Sequence, residues 1–277
     1  MRAIKLVATD LDGTLLRDDK TISKEDLATL SLLGEKQIIR VVATGRNLTK
    51  IKHVIPDLSY FDYLVFSSGA GIYDCRNDKL LYSKYIDQDI VSRLNYFFIE
   101  RNIGFFLYKA IPGNEYCWYY RGKKKCEEYE YYYELHRHVL EELPGLGKMS
   151  MPASQYLVIF ETPEQFMDLQ KSIECCFDQL KILRASSPYL TGYTWMEIFN
   201  QDVSKGNAVR FLCDYLKVDQ EATIGIGNDY NDIDLLEFTS YSYLVDNSPE
   251  ELKPSYLSAP GNEESAFSYC IKCHLNA

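Results

Sequence analysis

Four short stretches of the chain gather the side chains that can do chemistry, and each lies beside an apolar run or a helix start. The first is Asp10-Leu11-Asp12-Gly13-Thr14, directly after the run Ile4 to Thr9. Two carboxylates two residues apart, with a glycine that lets the chain turn sharply, can address one site, where one attacks as a nucleophile and the other handles protons. The plainer reading is a capped turn, in which Asp and Gly are common. The second stretch is Thr44-Gly45-Arg46 after Ile38 to Ala43. There a hydroxyl and backbone N–H groups opening a helix can hold an anion, or simply cap the helix. The third, Ser204-Lys205-Gly206, sets an ammonium near a helix start, with a solvated surface lysine as the ordinary alternative. The fourth, Gly227-Asn228-Asp229-Tyr230-Asn231-Asp232, follows Ala222 to Ile226 and is dense in oxygen ligands. A hard cation such as Mg²⁺ takes such oxygens, through one or two carboxylates plus phosphate and water. An Asn/Asp-rich turn capping a helix would use the same residues.

Ligands of open α/β sheets bind beyond the carboxyl ends of the strands, so the order of elements decides whether the four stretches can meet. Ile4 to Thr9 is short, β-branched and apolar, as suits a strand buried on both faces of a parallel sheet. A helix is expected from Lys24 to Glu35, with Ser23 as N-cap and Asp26 completing an approximate capping box. Strands at Ile38 to Ala43 and Tyr63 to Phe66 follow, separated by a helical stretch from Asn47 to Val54 that Pro56 ends. From about Tyr85 to Pro188 the rhythm changes to a helix over Asp87 to Arg101, short strands near Phe105 and Tyr116, more helix, and a strand at Tyr156 to Phe160. The βα rhythm is read as returning at Trp195 to Phe199, then a helix from Ser204 to Leu216, the strand at Ala222 to Ile226, a helix from about Asn231 and a strand at Tyr241 to Val245. The expected fold is α/β: a doubly wound parallel sheet formed by residues 1–84 and 189–277, interrupted by an α+β insertion over 85–188.

Composition narrows the partners. The chain has 277 residues, 46% of them hydrophobic, enough for a sizeable core in two domains. A formal charge of −10, with Arg121 to Lys125 as the one basic run, speaks against nucleic acid or anionic membrane and for small metabolites. That run flanks Gly122 and is read as a solvated hairpin. No apolar stretch approaches the roughly 20 residues a membrane span needs, and the apolar start is too short for a leader, so a cytoplasmic location is expected. Eight cysteines are then expected to be thiols. Cys270-Ile-Lys-Cys273-His274 spells a haem-attachment pattern, but it reads as a terminal helix with both cysteines on one face. No second Cys/His pair at ligand spacing supports zinc. Of 23 tyrosines, seven fall between Tyr116 and Tyr133, where packing of the insertion is the first explanation and stacking on a sugar or aromatic ring the second.

Taken in order on successive strand ends, the four stretches resemble the motifs of the haloacid-dehalogenase-like phosphatases, in the Cof-type branch whose large α+β cap lies between the second and third motifs. Asp10-Leu-Asp12-Gly-Thr is similar to the first motif, Thr44-Gly45-Arg46 to the second, Lys205 to the third, and Gly227 to Asp232 to the fourth. The resemblance implies a Rossmann-like core with a substrate-selecting cap, and Mg²⁺ as cofactor. It implies that Asp10 attacks phosphorus while Asp12 protonates the leaving oxygen and then activates water, with Thr44 and Lys205 completing the catalytic set. Phosphate would be held by backbone amides near Leu11 and Gly45, with Arg46 and Asn231 beside them. The metal would be held by the Asp10 carboxylate and the Asp12 carbonyl, by Asn228 or Asp229, and supported by Asp232. Two positions depart from the family pattern. Asn228 stands where an aspartate is usual, and Ser68, in Ser67-Ser68-Gly69-Ala70, where an asparagine is usual.

A hydrolytic dehalogenase is disfavoured because halide departure needs no proton from Asp12. A sugar phosphomutase remains an enzymatic alternative, separable by whether phosphate passes to water. A non-catalytic binding protein for phosphorylated metabolites is the alternative of another class. Asn228 favours it, while Asp10, Asp12, Thr44 and Lys205 oppose it.

Overall fold

The structure, a computed structural model, describes residues 3–145 and 151–275. In chain order the elements are β1 (Leu6–Thr9), α1 (Lys24–Glu35), β2 (Ile39–Ala43), α2 (Leu48–Val54), β3 (Tyr63–Phe66), β4 (Gly71–Asp74) and β5 (Lys79–Ser83). Then come α3 (Gln88–Glu100), β6 (Phe105–Lys109), β7 (Cys117–Tyr120), α4 (Glu127–His136), β8 (Leu140–Glu142), β9 (Ala153–Phe160), α5 (Pro163–Glu174), β10 (Leu180–Ser186) and β11 (Thr194–Asn200). The chain closes with α6 (Lys205–Leu216), β12 (Thr223–Gly227), α7 (Ile233–Phe238), β13 (Tyr241–Val245), β14 (Leu257–Ala259) and α8 (Ala266–Leu275). These divide into two compact units, residues 1–83 with 204–277, and residues 84–203.

The first unit is built on an eight-stranded sheet in the order β14-β13-β12-β1-β2-β3-β4-β5. From β14 to β3 the strands are parallel, and β4 and β5 add an antiparallel hairpin at the edge. β1 sits between β12 and β2, and its four residues are all buried. Leu6, Ala8, Val41, Ala43, Tyr63 and Val65 share one core with Val209 and Leu212 of α6 and Leu235 and Phe238 of α7. The intervening Val7, Val42 and Leu64 are as fully buried, which requires cover from the opposite face, where α1 packs against β2 and α8. An apolar run with no polar alternation thus becomes a two-faced strand. The chain leaves β1 towards β2 and comes back on the other side at β12, so the carboxyl end of β1 is a topological switch point.

α1 begins as its capping residues dictate. The Ser23 hydroxyl accepts the Asp26 N–H at 3.0 Å. The Asp26 carboxylate accepts from the Ser23 hydroxyl and from the Ser268 N–H and hydroxyl, so this buried acid ties α1 to α8 rather than closing a full capping box. The terminal helix is present as α8, with Cys270 buried and Cys273, three residues on, exposed; both are free thiols beside Tyr243. His274 is engaged with the Tyr243 hydroxyl at 2.9 Å. Among the described residues no helix is long and apolar enough to cross a membrane.

The second unit is a six-stranded sheet in the order β10-β11-β9-β6-β7-β8, antiparallel except for β7 with β8. α3 and α5 cover one face through Ile90, Leu94, Phe98, Phe166, Leu169 and Ile173. α4 covers the other, where Tyr129 stacks on Phe106 with ring centroids 4.5 Å apart and Tyr132 packs tilted against it at 4.6 Å. Packing is therefore what these two tyrosines do. Two boundaries need correction. Trp195 to Phe199 does not return to the parallel sheet: β11 pairs antiparallel with β9 and β10, and the insertion runs to Val203 rather than Pro188. A short, largely apolar run suits a central strand of either sheet, and only the partner strands decide. Arg121 to Lys125 is no hairpin but the link from β7 into α4, with Arg121 paired to Glu130 and Lys124 to Glu161.

Candidate active site

All four sequence stretches lie in the first unit, at the carboxyl ends of its strands or at the start of α6. Asp10 follows β1 directly, its N–H donating to the Ile226 carbonyl of β12 at 2.8 Å. Its side chain is only 6% exposed. Lys205, the first residue of α6, is fully buried, and its Nζ donates to Asp10 Oδ1 and Asp232 Oδ1, both at 2.7 Å, and to Asn231 Oδ1 at 3.3 Å. The expectation of a solvated lysine is thereby excluded.

Two close approaches put Lys205 there. Ser204 caps α6 by accepting the Asn207 N–H, and the turn Ser67-Ser68-Gly69 after β3 packs on this cap. Gly69 has φ of 102°, and a Cβ on it would lie 2.3 Å from the Ser204 carbonyl oxygen. Ser68, buried, has φ of 54°, a conformation that asparagine also tolerates. On the other side, a Cβ at Gly206 would meet the Asp234 carbonyl oxygen at 2.0 Å, so glycine lets α6 lie against the start of α7.

The turn after β12 is organised around Asp232. Its Oδ2 accepts the N–H groups of Asn228 at 2.9 Å and Asp229 at 3.1 Å, while the Asp229 side chain accepts the Asp232 N–H in a reciprocal capping box. The sequence reading of an Asx-rich cap is therefore correct for Asp229 and Asp232. Asn228 points elsewhere. One corner of its carboxamide lies 3.2 Å from the Asp12 carbonyl oxygen and 3.3 Å from Asp10 Oδ2, and the Thr14 hydroxyl lies 3.3 Å from its Oδ1.

Asp12 forms a second pair. Arg46 grips it with two bonds of 2.6 Å, Nε to Oδ2 and Nη2 to Oδ1, and Lys20 adds a contact of 3.4 Å. Arg46, expected at phosphate, thus rests on a carboxylate. Thr44 is buried, with its Oγ accepting the Arg46 N–H at 3.2 Å, and its backbone carbonyl accepts the Ser68 N–H at 2.9 Å. Leu11 is buried and its carbonyl accepts the Leu16 N–H, closing the turn after β1. Two contributors went unread in the sequence. Lys20 is one, and Asn247 is the other: its amide donates to the Gly13 carbonyl at 2.8 Å and its oxygen accepts the Asn262 N–H. Asn247 stands just after β13, so inspecting that strand end would have found it.

The charges explain the protonation behaviour. Burial pushes the Asp10 carboxyl up from 3.8 to about 7 despite the Lys205 ammonium, with Asp232 and Asp12 adding to the rise. One ammonium serves two buried carboxylates, so ionising both would leave one negative charge uncompensated. Burial alone would lower the Lys205 pKa, but Asp10 and Asp232 outweigh it and hold the ammonium protonated well above its ordinary range. Burial likewise opposes ionisation of Asp12, yet the Arg46 bonds prevail and its carboxyl is lowered.

The residues present fit a hard divalent cation. With oxygen at the facing corner of Asn228, that oxygen lies 3.2 Å from the Asp12 carbonyl and 3.3 Å from Asp10 Oδ2, three oxygens on one point. Among the described residues no group of three or more His, Cys, Asp and Glu side chains forms such a set, so carbonyl and amide oxygens are needed.

A doubly wound parallel sheet carrying a buried carboxylate, a buried lysine and an Asx-rich turn at its switch point is the kind of core on which hydrolases are built. Residues 7–261 match the family model of the haloacid dehalogenase-like hydrolases, and the chain belongs to that family. A protein of Buchnera aphidicola subsp. Baizongia pistaciae, named "Putative phosphatase", is 28% identical over 251 residues, covering 90% of this chain and 89% of its own. The crystal structure of SMU.1108c from Streptococcus mutans UA159 superposes with a TM-score of 0.81 at 20% identity, covering 99% of this chain and all of its own. That of BT4131, described as a HAD subclass IIB sugar phosphatase, gives a TM-score of 0.76 at 17% identity over 97% of this chain and 98% of its own. These likenesses to solved structures are of fold.

Proposed function

We propose that this chain is a Mg²⁺-dependent phosphatase of small phosphorylated metabolites, sugar phosphates among them, acting through a phosphorylated Asp10. The observation that carries the reading is the buried Asp10 carboxylate at the switch point, 2.7 Å from a buried ammonium, with Asp12 two residues on. The phosphatase name of the Buchnera relative and the sugar phosphatase description of BT4131 point the same way.

In the first step an Asp10 oxygen attacks phosphorus, the bond to the leaving oxygen breaks, and Asp12 gives that oxygen a proton. In the second, Asp12, now a carboxylate, takes a proton from water, the water oxygen attacks phosphorus, and inorganic phosphate leaves as the Asp10 carboxylate is restored. Lys205 stays protonated throughout and holds charge against the transferring group, while Thr44 and the amides of Leu11 and Gly45 donate to its oxygens. Paired to Arg46, Asp12 is the carboxylate that the second step uses; the proton it delivers in the first step requires that this pair open as substrate enters. Bound Mg²⁺ supplies further neutralisation of phosphoryl charge, held by the Asp10 carboxylate, the Asp12 carbonyl and Asn228. Asp229 is engaged in capping, which favours Asn228 as the ligand, and Asp232 stands behind as support. Selection among leaving groups is assigned to the inserted unit, residues 84–203, the candidate cap.

The test is release of inorganic phosphate into water from p-nitrophenyl phosphate and a panel of sugar phosphates, nucleotides and cofactor phosphates, with Mg²⁺ and with chelator. Activity that needs Mg²⁺ and disappears in Asp10→Asn is expected. Inertness across the panel would leave a binding protein, and return of phosphate to the substrate a mutase.

A further inference from the structure

The side chain of Asn228 presents one carboxamide corner to two acceptors, the Asp12 carbonyl oxygen at 3.2 Å and Asp10 Oδ2 at 3.3 Å. An amide has two unlike ends, and a half-turn about its last bond exchanges them in place. With nitrogen at that corner, the amide donates to both acceptors. With oxygen there, it accepts from the Thr14 hydroxyl at 3.3 Å and completes a set of three oxygens, but its nitrogen then faces only donors, a mismatch that a bound cation must outweigh. An aspartate at this position has no such choice: it always presents oxygen.

We propose that Asn228 is a two-state gate on the cation site. In the absence of a cation its amide nitrogen occupies the site and bonds to the two atoms that would bind the metal. On Mg²⁺ binding the carboxamide turns over and its oxygen becomes a ligand. This deepens the reading above and rests on its metal site. Two consequences follow from the chemistry alone. The amide nitrogen offsets part of the repulsion around Asp10 Oδ2 when no cation is present. The neutral ligand and the bonds broken on turning both weaken Mg²⁺ relative to an aspartate.

The experiment compares the parent with Asn228→Asp and Asn228→Ala, using Mg²⁺ titration by calorimetry and thermal unfolding in chelator and in Mg²⁺. Asn228→Asp is expected to bind Mg²⁺ about tenfold or more tightly, since affinity follows ligand charge, to melt below the parent in chelator, and to gain more from Mg²⁺. Asn228→Ala is expected to bind Mg²⁺ more weakly than the parent. Should Asn228→Ala fail to fold, the side-chain NH₂ resonances of Asn228, identified by their loss in Asn228→Asp, serve instead and are expected to shift on Mg²⁺ titration. Wild-type Mg²⁺ affinity in Asn228→Ala, an unchanged melting temperature of Asn228→Asp in chelator, unmoved NH₂ resonances, or no Mg²⁺ binding by the parent would each overturn the proposal. None of these measurements uses turnover. A chain that behaves as expected yet releases no phosphate retires the phosphatase reading and leaves the gate standing.

Discussion

Asp10→Asn should make the protein more stable at alkaline pH while abolishing any turnover that depends on the carboxylate. The fold holds Asp10 where its charged form is disfavoured, with a pKa near 7 against 3.8. A group whose pKa is raised on folding contributes stability below its unfolded value and loses that contribution as pH climbs through the folded one. The window here runs from about pH 4 to about pH 7. Roughly three pKa units at 1.36 kcal/mol each set an upper bound of about 4 kcal/mol for the cost of ionising Asp10 in the fold. Asparagine resembles the protonated acid and escapes that cost. In chelator at pH 8.5 the variant should therefore exceed the parent by up to this amount, on the order of 10 °C in Tm for a domain of this size, and the gap should close towards pH 4. Mg²⁺ should reverse the order by compensating the parent's carboxylate and finding one ligand fewer in the variant. Melting curves of both proteins from pH 4 to 9, with chelator and with Mg²⁺, test this. A gap that does not change with pH, or a variant less stable than the parent at pH 8.5, would refute the account of Asp10 as a buried charge sharing one ammonium with Asp232.

Lys205→Met should cost about 3–5 kcal/mol at pH 8, because it leaves two buried carboxylates without their cation, and part of the loss should return below pH 5, as followed by urea unfolding at both pH values. Gly69→Ala combines a positive φ with a Cβ 2.3 Å from the Ser204 carbonyl oxygen. A loss of about 2 kcal/mol or more is expected, with a fall in kcat exceeding the change in KM as Lys205 is displaced; an unperturbed kcat would show that the turn does not set the lysine's position.

Much of the core was legible because local signals and tertiary needs agree there. β1, β3 and β13 are short apolar runs ended by polar turns, and α1 and α6 begin at serines whose hydroxyls accept the N–H three residues on. What local pattern cannot convey is partner choice. Trp195 to Phe199 reads as a buried strand in either sheet, and its membership depends on β9 and β10, which no periodicity within the segment specifies. The β4–β5 hairpin went unread because its strands are short and β5 is only partly buried, through Leu81 and Tyr82, with no regular alternation to announce it. In the site, residue types pointed to Asp10, Lys205 and Asp232 together, yet not to their arrangement. Nothing in Thr44-Gly45-Arg46 says that the guanidinium rests on Asp12, because that pairing is made across 34 residues.

The bond between Lys205 and Asp10 spans 195 residues, and it crosses the entire inserted unit. During synthesis the opening strand emerges long before the ammonium that balances its acid. Sealing β1 inside a sheet before α6 and β12 arrive would bury the Asp10 carboxylate without its cation, a cost that the finished fold avoids. The inserted unit draws all six strands of its sheet from residues 84–203, so the ion pair at the switch point can close only after the whole of that unit has been made.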